Sequence, residues 1–455
     1  MQSEVIVVGG GIGGLTVAAL LAARGVDVCL FERQSHVGGC VANFEHLGYS
    51  FDPTFGLYSG WASGDAWQNV FANLPVPPPE VAKLSPNFTV RLSDGRDVAV
   101  MSERDALEEN IATAFPDCAD AAVRFIREVL AVEVDSGKRA EGTIELLNST
   151  SAEFRLFIDT QLQFLAQCAI DQCTAARAIA ALRIAIGELW AIAGGLQSLA
   201  DRLKDSFKQS GGTLRLNSPV LRLAYGSKGE PVGVDLLSGE RVTATRAIVS
   251  NLTVWDTYGK LIGLSRTPKA ISVALKETTA RGVYQIFLGL DEATAFRLSA
   301  NRIMLAAESV GETVLPQHCM LNVAAQTDGR APEGKLAATV TAFTDADEWF
   351  AFHEDATWHQ ERDQAALETF WGRLHAALPE LGDGAEVIET ATPQTYYETT
   401  RRKLGMIGSP QHHPDFAFHE APFPNLFLIG DTVSVGFGLE GIAQSALSLS
   451  QILVN

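Results

Sequence analysis

Near the start of the chain stand Gly9-Gly10-Gly11-Ile12-Gly13-Gly14, and their spacing is suited to one kind of chemistry, the holding of a diphosphate. Gly9, Gly11 and Gly14 satisfy GxGxxG, and each glycine has a reason. Gly9 permits a tight turn, Gly11 lets the backbone approach a diphosphate, and Gly14 allows a helix to pack close on a strand. With Ile12 and Gly13 they open a helix whose first N–H groups and positive dipole end would face the anion. Glu32, followed by Arg33, lies 18 positions beyond Gly14, where its carboxylate can accept hydrogen bonds from ribose hydroxyls and disfavour a 2′-phosphate.

Those residues need a strand before them and a helix behind them, and the sequence supplies both. Val5 to Val8 is a short apolar run suited to a buried parallel strand, and Leu15 to Arg24 is an alanine- and leucine-rich helix ended by Gly25. A second strand, Val26 to Phe31, leads to Glu32. GxGxxG alone is weak, but strand, glycines, helix, strand and terminal acid in that order make a βαβ unit and argue against a turn without a ligand.

The same fingerprint serves flavin and nicotinamide dinucleotides, so the choice rests on other residues. Glu32, Gly38 and Gly39 form E-x5-GG, with Cys40, Phe44, Gly48 and Phe51-Asp52 after it. Asn425 to Ser445 reads NLFLIGDTVSVGFGLEGIAQS, an apolar strand ending in Gly430-Asp431 and then a glycine-rich turn leading into a terminal helix through Gly438, Leu439 and Ile442. These stretches resemble the glutathione-reductase-like flavoproteins. The resemblance implies FAD, a GG loop running along its pyrophosphate, Asp431 at the ribityl chain and the last helix pointing its N-terminus at the flavin ring. It also implies that Val220 offers its backbone to the adenine and that Ser250-Asn251 ends a strand near the cofactor. A second GxGxxG for NAD(P)H is absent from the sequence, so electrons need another partner, such as a quinone or oxygen.

The expected fold is α/β, a Rossmann FAD-binding domain discontinuous in sequence (residues 1–60, 191–254 and 421–455) plus a mixed-sheet α+β substrate domain (61–190 and 255–420). Within the first, Gly194-Gly195-Leu196 opens a helix through Phe207, a strand follows at Thr213 to Leu216, and Pro231 to Ser250 reads as a hairpin about Ser238-Gly239. Within the second, Phe88 to Val100 is a hairpin turned by Asp94-Gly95, and Tyr284 to Leu290 and Ala337 to Phe343 alternate like sheet strands. Phe154, Phe157, Ile158, Leu162, Leu165 and Ala169 give one helix an apolar face, which burial against that sheet explains better than a membrane-dipping role.

Composition narrows the partners. At 455 residues the chain exceeds the roughly 100–200 residues of one domain, and 47% hydrophobic with 20% charged residues describes a packed globular protein. A net charge of −19 argues against nucleic acid, which attracts clustered Lys and Arg. Six cysteines without a CxxC pair indicate neither a metal site nor a disulfide framework, and fit a reducing cytoplasm. Neither a signal peptide nor a membrane span of about 18 apolar residues is visible.

With these motifs placed, nearly the whole chain resembles the carotenoid-desaturase group of FAD oxidoreductases, which includes phytoene desaturases, carotenoid isomerases and retinol saturases. Gly48-Tyr49-Ser50-Phe51-Asp52, Tyr284 to Asp291, Ala331 to Lys335, Ala391 to Thr395 and Gly405 to Gly408 carry that likeness, the last two pointing to the isomerase and saturase branch. It implies desaturation, saturation or flavin-assisted isomerisation of C–C bonds in an apolar isoprenoid or polyene, with peripheral contact at a membrane. Cys40 stands where many relatives have Arg, and the terminal turn lacks a proline common in the group. A flavin amine oxidase, a natural-product-tailoring flavoprotein and a non-catalytic FAD-binding regulator are the alternatives. Tyr397, Arg401 and Glu440 are the candidate catalytic groups, while Arg401-Arg402-Lys403 as a whole and His412-His413 read as solvated segments.

Overall fold

A computed structural model describes every residue except 134–136, 278–280, 308–317, 352–354, 409–420, 422, 434–437 and 455, so His412 and His413 lie outside the described residues. Two seven-stranded sheets dominate it. The first is centred on the strand Gln2–Val8, where Val5 to Val8 form the apolar run and are fully or nearly fully buried. Val28–Phe31 pairs with it in parallel on one side and Arg241–Ser250 on the other, while Thr213–Arg215 extends the sheet beyond Val28–Phe31. Pro231–Leu236 and Val220–Tyr225 continue antiparallel from Arg241–Ser250. That same long strand accepts Leu426–Leu428 in parallel through Ile248, Val249 and Ser250. Beginning and end of the sequence thus share one sheet.

The helix Ile12–Ala23 is buried nearly all round, as its unbroken Ala and Leu content requires, between the sheet, the helix Leu196–Gln209 and the last helix, Gly438–Val454. The second sheet runs Ala385–Ala391, Arg281–Asp291, Lys335–Asp345, Cys319–Val323, Arg302–Leu305, Phe88–Arg91, Asp97–Val100. Its pairs are antiparallel except Arg302–Leu305 with Phe88–Arg91, which makes it mixed. The helix Ala152–Leu165 turns Phe154, Phe157, Ile158 and Leu162 into the core on one face of this sheet, so the apolar stripe is a packing surface. No described helix is long and apolar enough to cross a membrane.

Packing shifts two of the expected boundaries. Trp61, Trp67, Val70 and Phe71 join the core of the nucleotide-binding sheet, although the sequence opens the substrate domain at residue 61. Trp255, Tyr258, Leu261 and Ile271 likewise pack on Ile6, Val8 and Ile248. The core that each segment joins reveals its side.

Candidate active site

The glycine turn is built by steric exclusion. Gly9 takes φ +100°, and a Cβ at Gly14 would lie 2.1 Å from the Gly9 carbonyl oxygen, so helix and strand could not meet at this distance with any side chain there. At Gly11 a Cβ would stand 2.7 Å from Asn251 Nδ2, and at Gly13 2.7 Å from Asn251 Oδ1. Asn251, whose backbone N–H donates to the Val8 carbonyl at 2.8 Å, therefore stands over the turn. No side chain caps the helix Ile12–Ala23, which leaves its first-turn N–H groups to a ligand.

Glu32 is 8% exposed and its two oxygens are divided between backbone donors, Gly10 N–H and Gln34 N–H, each at 2.7 Å. It shapes the turn besides closing the strand. Arg33 reaches away and donates to the Thr399 carbonyl. Gly38 and Gly39, at φ +116° and +65°, fold the GG loop back on the turn, where Gly38 N–H donates to the Gly10 carbonyl at 2.9 Å. Cys40 follows, its thiol pushed up by burial against the opposing pull of Arg402. From the other end of the sequence, Gly430 (φ +127°) packs beside Asn251 and Gly13, and Asp431 comes next. Gly438 opens the last helix at φ +60°, with Ile442 buried and Leu439 half-buried behind it. Val220 starts its strand, half-buried, opposite Leu236.

A bare glycine cradle, uncapped helix N–H groups, an acid at the strand end and a second strand ending at the same turn together fit FAD. Of the residues expected from the sequence, Glu32, Gly38, Gly39, Asn251 and Gly430 meet the turn at Gly9 to Gly14, Cys40 and Asp431 adjoin Gly39 and Gly430, and Ile442 shares a core with Ile12, while Arg33 turns away to Thr399 and Val220 pairs with Leu236.

The catalytic candidates fare differently. Tyr397 and Arg401 pair with each other, the guanidinium 5.5 Å from the ring centre, and Arg401 is exposed. Their neighbours turn inward instead. Tyr396 is buried, its hydroxyl donates to Gln285 Oε1, and Gln285 Nε2 donates to Thr341 Oγ1 at 2.8 Å. Burial, with Cys40 and Asp52 nearby, holds the Tyr396 phenol well above its ordinary pKa. Arg402 corrects the reading of its segment as solvated: its side chain is 14% exposed and its Nη2 lies 2.6 Å from Asp431 Oδ2. Burial alone would lower the Arg402 pKa, but Asp431 and Cys40 hold it above the usual value. Glu440 packs against Gly60, where a Cβ would come within 2.9 Å of its Cγ. Asp52 accepts from Tyr58 at 2.6 Å and from Thr54 at 2.8 Å in the buried seam between the halves. A cleft of about 490 Å³ lined by Arg91, Leu305, Cys319 and Ala377 lies apart from all of these residues.

The chain belongs to the family of flavin containing amine oxidoreductases, whose model matches residues 12–453. It is an FAD-dependent oxidoreductase. It is similar along 99% of its length to an all-trans-retinol 13,14-reductase of Danio rerio, 23% identical over 86% of that protein. A prolycopene isomerase of an Oncidium hybrid cultivar is also 23% identical, across 98% of this chain and 83% of its own. Among solved structures, an oxidoreductase from Methanosarcina mazei superposes with a TM-score of 0.68 at 17% identity, covering 99% of this chain and 100% of that one, and shares the fold.

Proposed function

We propose that the enzyme carries out redox or redox-assisted chemistry on C–C bonds of an apolar isoprenoid or polyene, with FAD laid along the turn at Gly9 to Gly14, the Gly38-Gly39-Cys40 loop, Asn251, Gly430-Asp431 and the helix from Gly438 through Leu439 and Ile442. Glu32 receives the adenosine ribose and Val220 the adenine. What carries this reading is the chemistry of the wall that the second sheet turns to the hairpin Phe44–Phe51. Phe287 packs tilted against Phe44 and Phe51 at 5.1 and 5.0 Å between ring centres, and the polar groups beside them, Tyr396 and Gln285, are neutral and satisfy each other. Such a wall orients an apolar chain and excludes water, and its one buried carboxylate among the described residues, Asp52, is held by the Tyr58 and Thr54 hydroxyls. FAD supplies the hydride chemistry when bound. Relatives named for reducing retinol and isomerising prolycopene support a conjugated isoprenoid over an amine.

The electron partner is a quinone or oxygen, and the substrate is met at a membrane surface from the cytoplasmic side. Supporting that contact, Leu264 is 74% and Val273 46% exposed beside Arg266 and Lys269, while Lys260 pairs with Asp256 at 2.7 Å and Glu277 follows Lys276. The test is the absorbance of the purified protein, followed anaerobically: an isoprenoid polyene that bleaches the oxidised flavin bands, or reoxidises the dithionite-reduced enzyme, supports the reading. Bleaching by primary amines and not by polyenes would overturn it.

A further inference from the structure

We infer that Arg402 is the cation that receives the diphosphate of the cofactor, a role that rests on the FAD placement proposed above. Its guanidinium bridges two features on either side of the glycine turn. Nη1 lies 3.7 Å from Cys40 Sγ, and Nη2 lies 2.6 Å from Asp431 Oδ2, while Nε donates to the Met406 carbonyl. Cys40 directly follows Gly39, from which a Cβ would touch Gly11 Cα at 3.3 Å; Asp431 directly follows Gly430, whose Cα would lie 3.4 Å from a Cβ on Gly13. The guanidinium is therefore one residue removed, on both sides, from the backbone that would cradle the phosphates.

Charge requires such a group. The uncapped helix N-terminus attracts an anion, yet Asp431 already places a carboxylate at the same turn, in a chain of net charge −19. A diphosphate brought beside Asp431 would be repelled unless a cation stood with them. Arg402 neutralises Asp431 through one N–H and keeps donors in reserve, because a guanidinium carries five in a rigid fork and a thiol is a weak acceptor that a phosphate oxygen readily displaces. The backbone is shaped to bring it there. Arg401 ends the helix Pro393–Thr400 in the left-handed region at φ +57°, an uncommon conformation for a residue with a side chain, and this reversal sends Arg401 to solvent and Arg402 inward.

The test is calorimetric titration of apo-protein with FAD, ADP and adenosine. Wild type must bind FAD and ADP; if it binds neither, the cofactor placement itself fails, whatever Arg402 does. Given that binding, R402Q is expected to weaken FAD and ADP by about ten- to hundredfold, the size of one charge-assisted hydrogen bond, and adenosine by less than about twofold. C40R/R402Q, which returns a guanidinium from the other side of the same gap, should recover most of the ADP affinity, and R402K part of it; these two carry the comparison if R402Q does not fold. Equal losses for ADP and adenosine, or FAD affinity in R402Q within about twofold of wild type, would assign Arg402 to clamping Asp431 alone and overturn the inference.

Discussion

Replacing Glu32 separates what this carboxylate does for the protein from what it does for a ligand. It accepts two backbone N–H groups at 2.7 Å each, one buried, from Gly10, and one half-buried, from Gln34. A hydrogen bond to a charged acceptor contributes about 1.5–3 kcal/mol, so E32A, which strands both donors, should cost roughly 3–6 kcal/mol. E32Q keeps one carbonyl oxygen and turns an NH2 towards the other donor, at about half that cost. In a cooperative unit of this size 1 kcal/mol moves the melting temperature by roughly 2–4 °C, which puts apo-E32Q about 3–12 °C below apo-wild type. Differential scanning fluorimetry of carefully deflavinated protein measures it. If apo-E32Q melts with wild type and only the holo-proteins differ, Glu32 serves the ribose alone and the reasoning from its backbone partners is wrong.

Other changes test other parts of the molecule. G14A drives a Cβ to 2.1 Å from the Gly9 carbonyl oxygen, so the helix must retreat by roughly 1 Å, and a displacement of that size is enough to misplace a cradle; the purified variant should carry little flavin at 450 nm or fail to accumulate. F287A removes a ring packed on Phe44 and Phe51 and should cost about 3–5 kcal/mol in urea unfolding. Stability should also fall in alkali. Burial pushes Tyr258 up to about 12 and raises Tyr58 and Tyr396 too, so the folded state keeps protons that the unfolded state releases from pH 10. This contribution is whole below pH 10 and is lost as pH climbs towards 12, and melting temperatures across that window check it.

Much of the cofactor half was legible because its constraints are local. Gly9, Gly11, Gly14 and Glu32 act within one βαβ unit, and Gly430-Asp431 closes a strand whose apolar run is plain. The buried pair of Tyr396 and Gln285 was not legible, for a reason of phase. Tyr396 and Tyr397 differ by one residue, about 100° around a helix, and which of them faces inward depends on where the sheet lies. Thr392, which caps this helix with Thr395, and Pro393 at its first turn mark where it starts but not which face is buried. The inward turn of Arg402 hangs on the left-handed Arg401, which a residue type other than glycine does not announce. Gln285 reads as one more position in an alternating strand until its partner arrives from residue 396.

The strand Leu426–Leu428 completes the sheet that Gln2–Val8 begins, and the helix Gly438–Val454 covers Ile12–Ala23, with Arg24 reaching Ser450 at 3.0 Å. During synthesis the βαβ unit emerges well before the helix Gly438–Val454, so the helix Ile12–Ala23 lacks one of its covers while the whole of the second sheet is being made. Its pairing partners are among the most distant in sequence, and contacts of that kind form late. The cradle proposed for the flavin is then complete only after Leu426–Leu428 has been made, and until then the nascent helix is a surface for chaperones to guard.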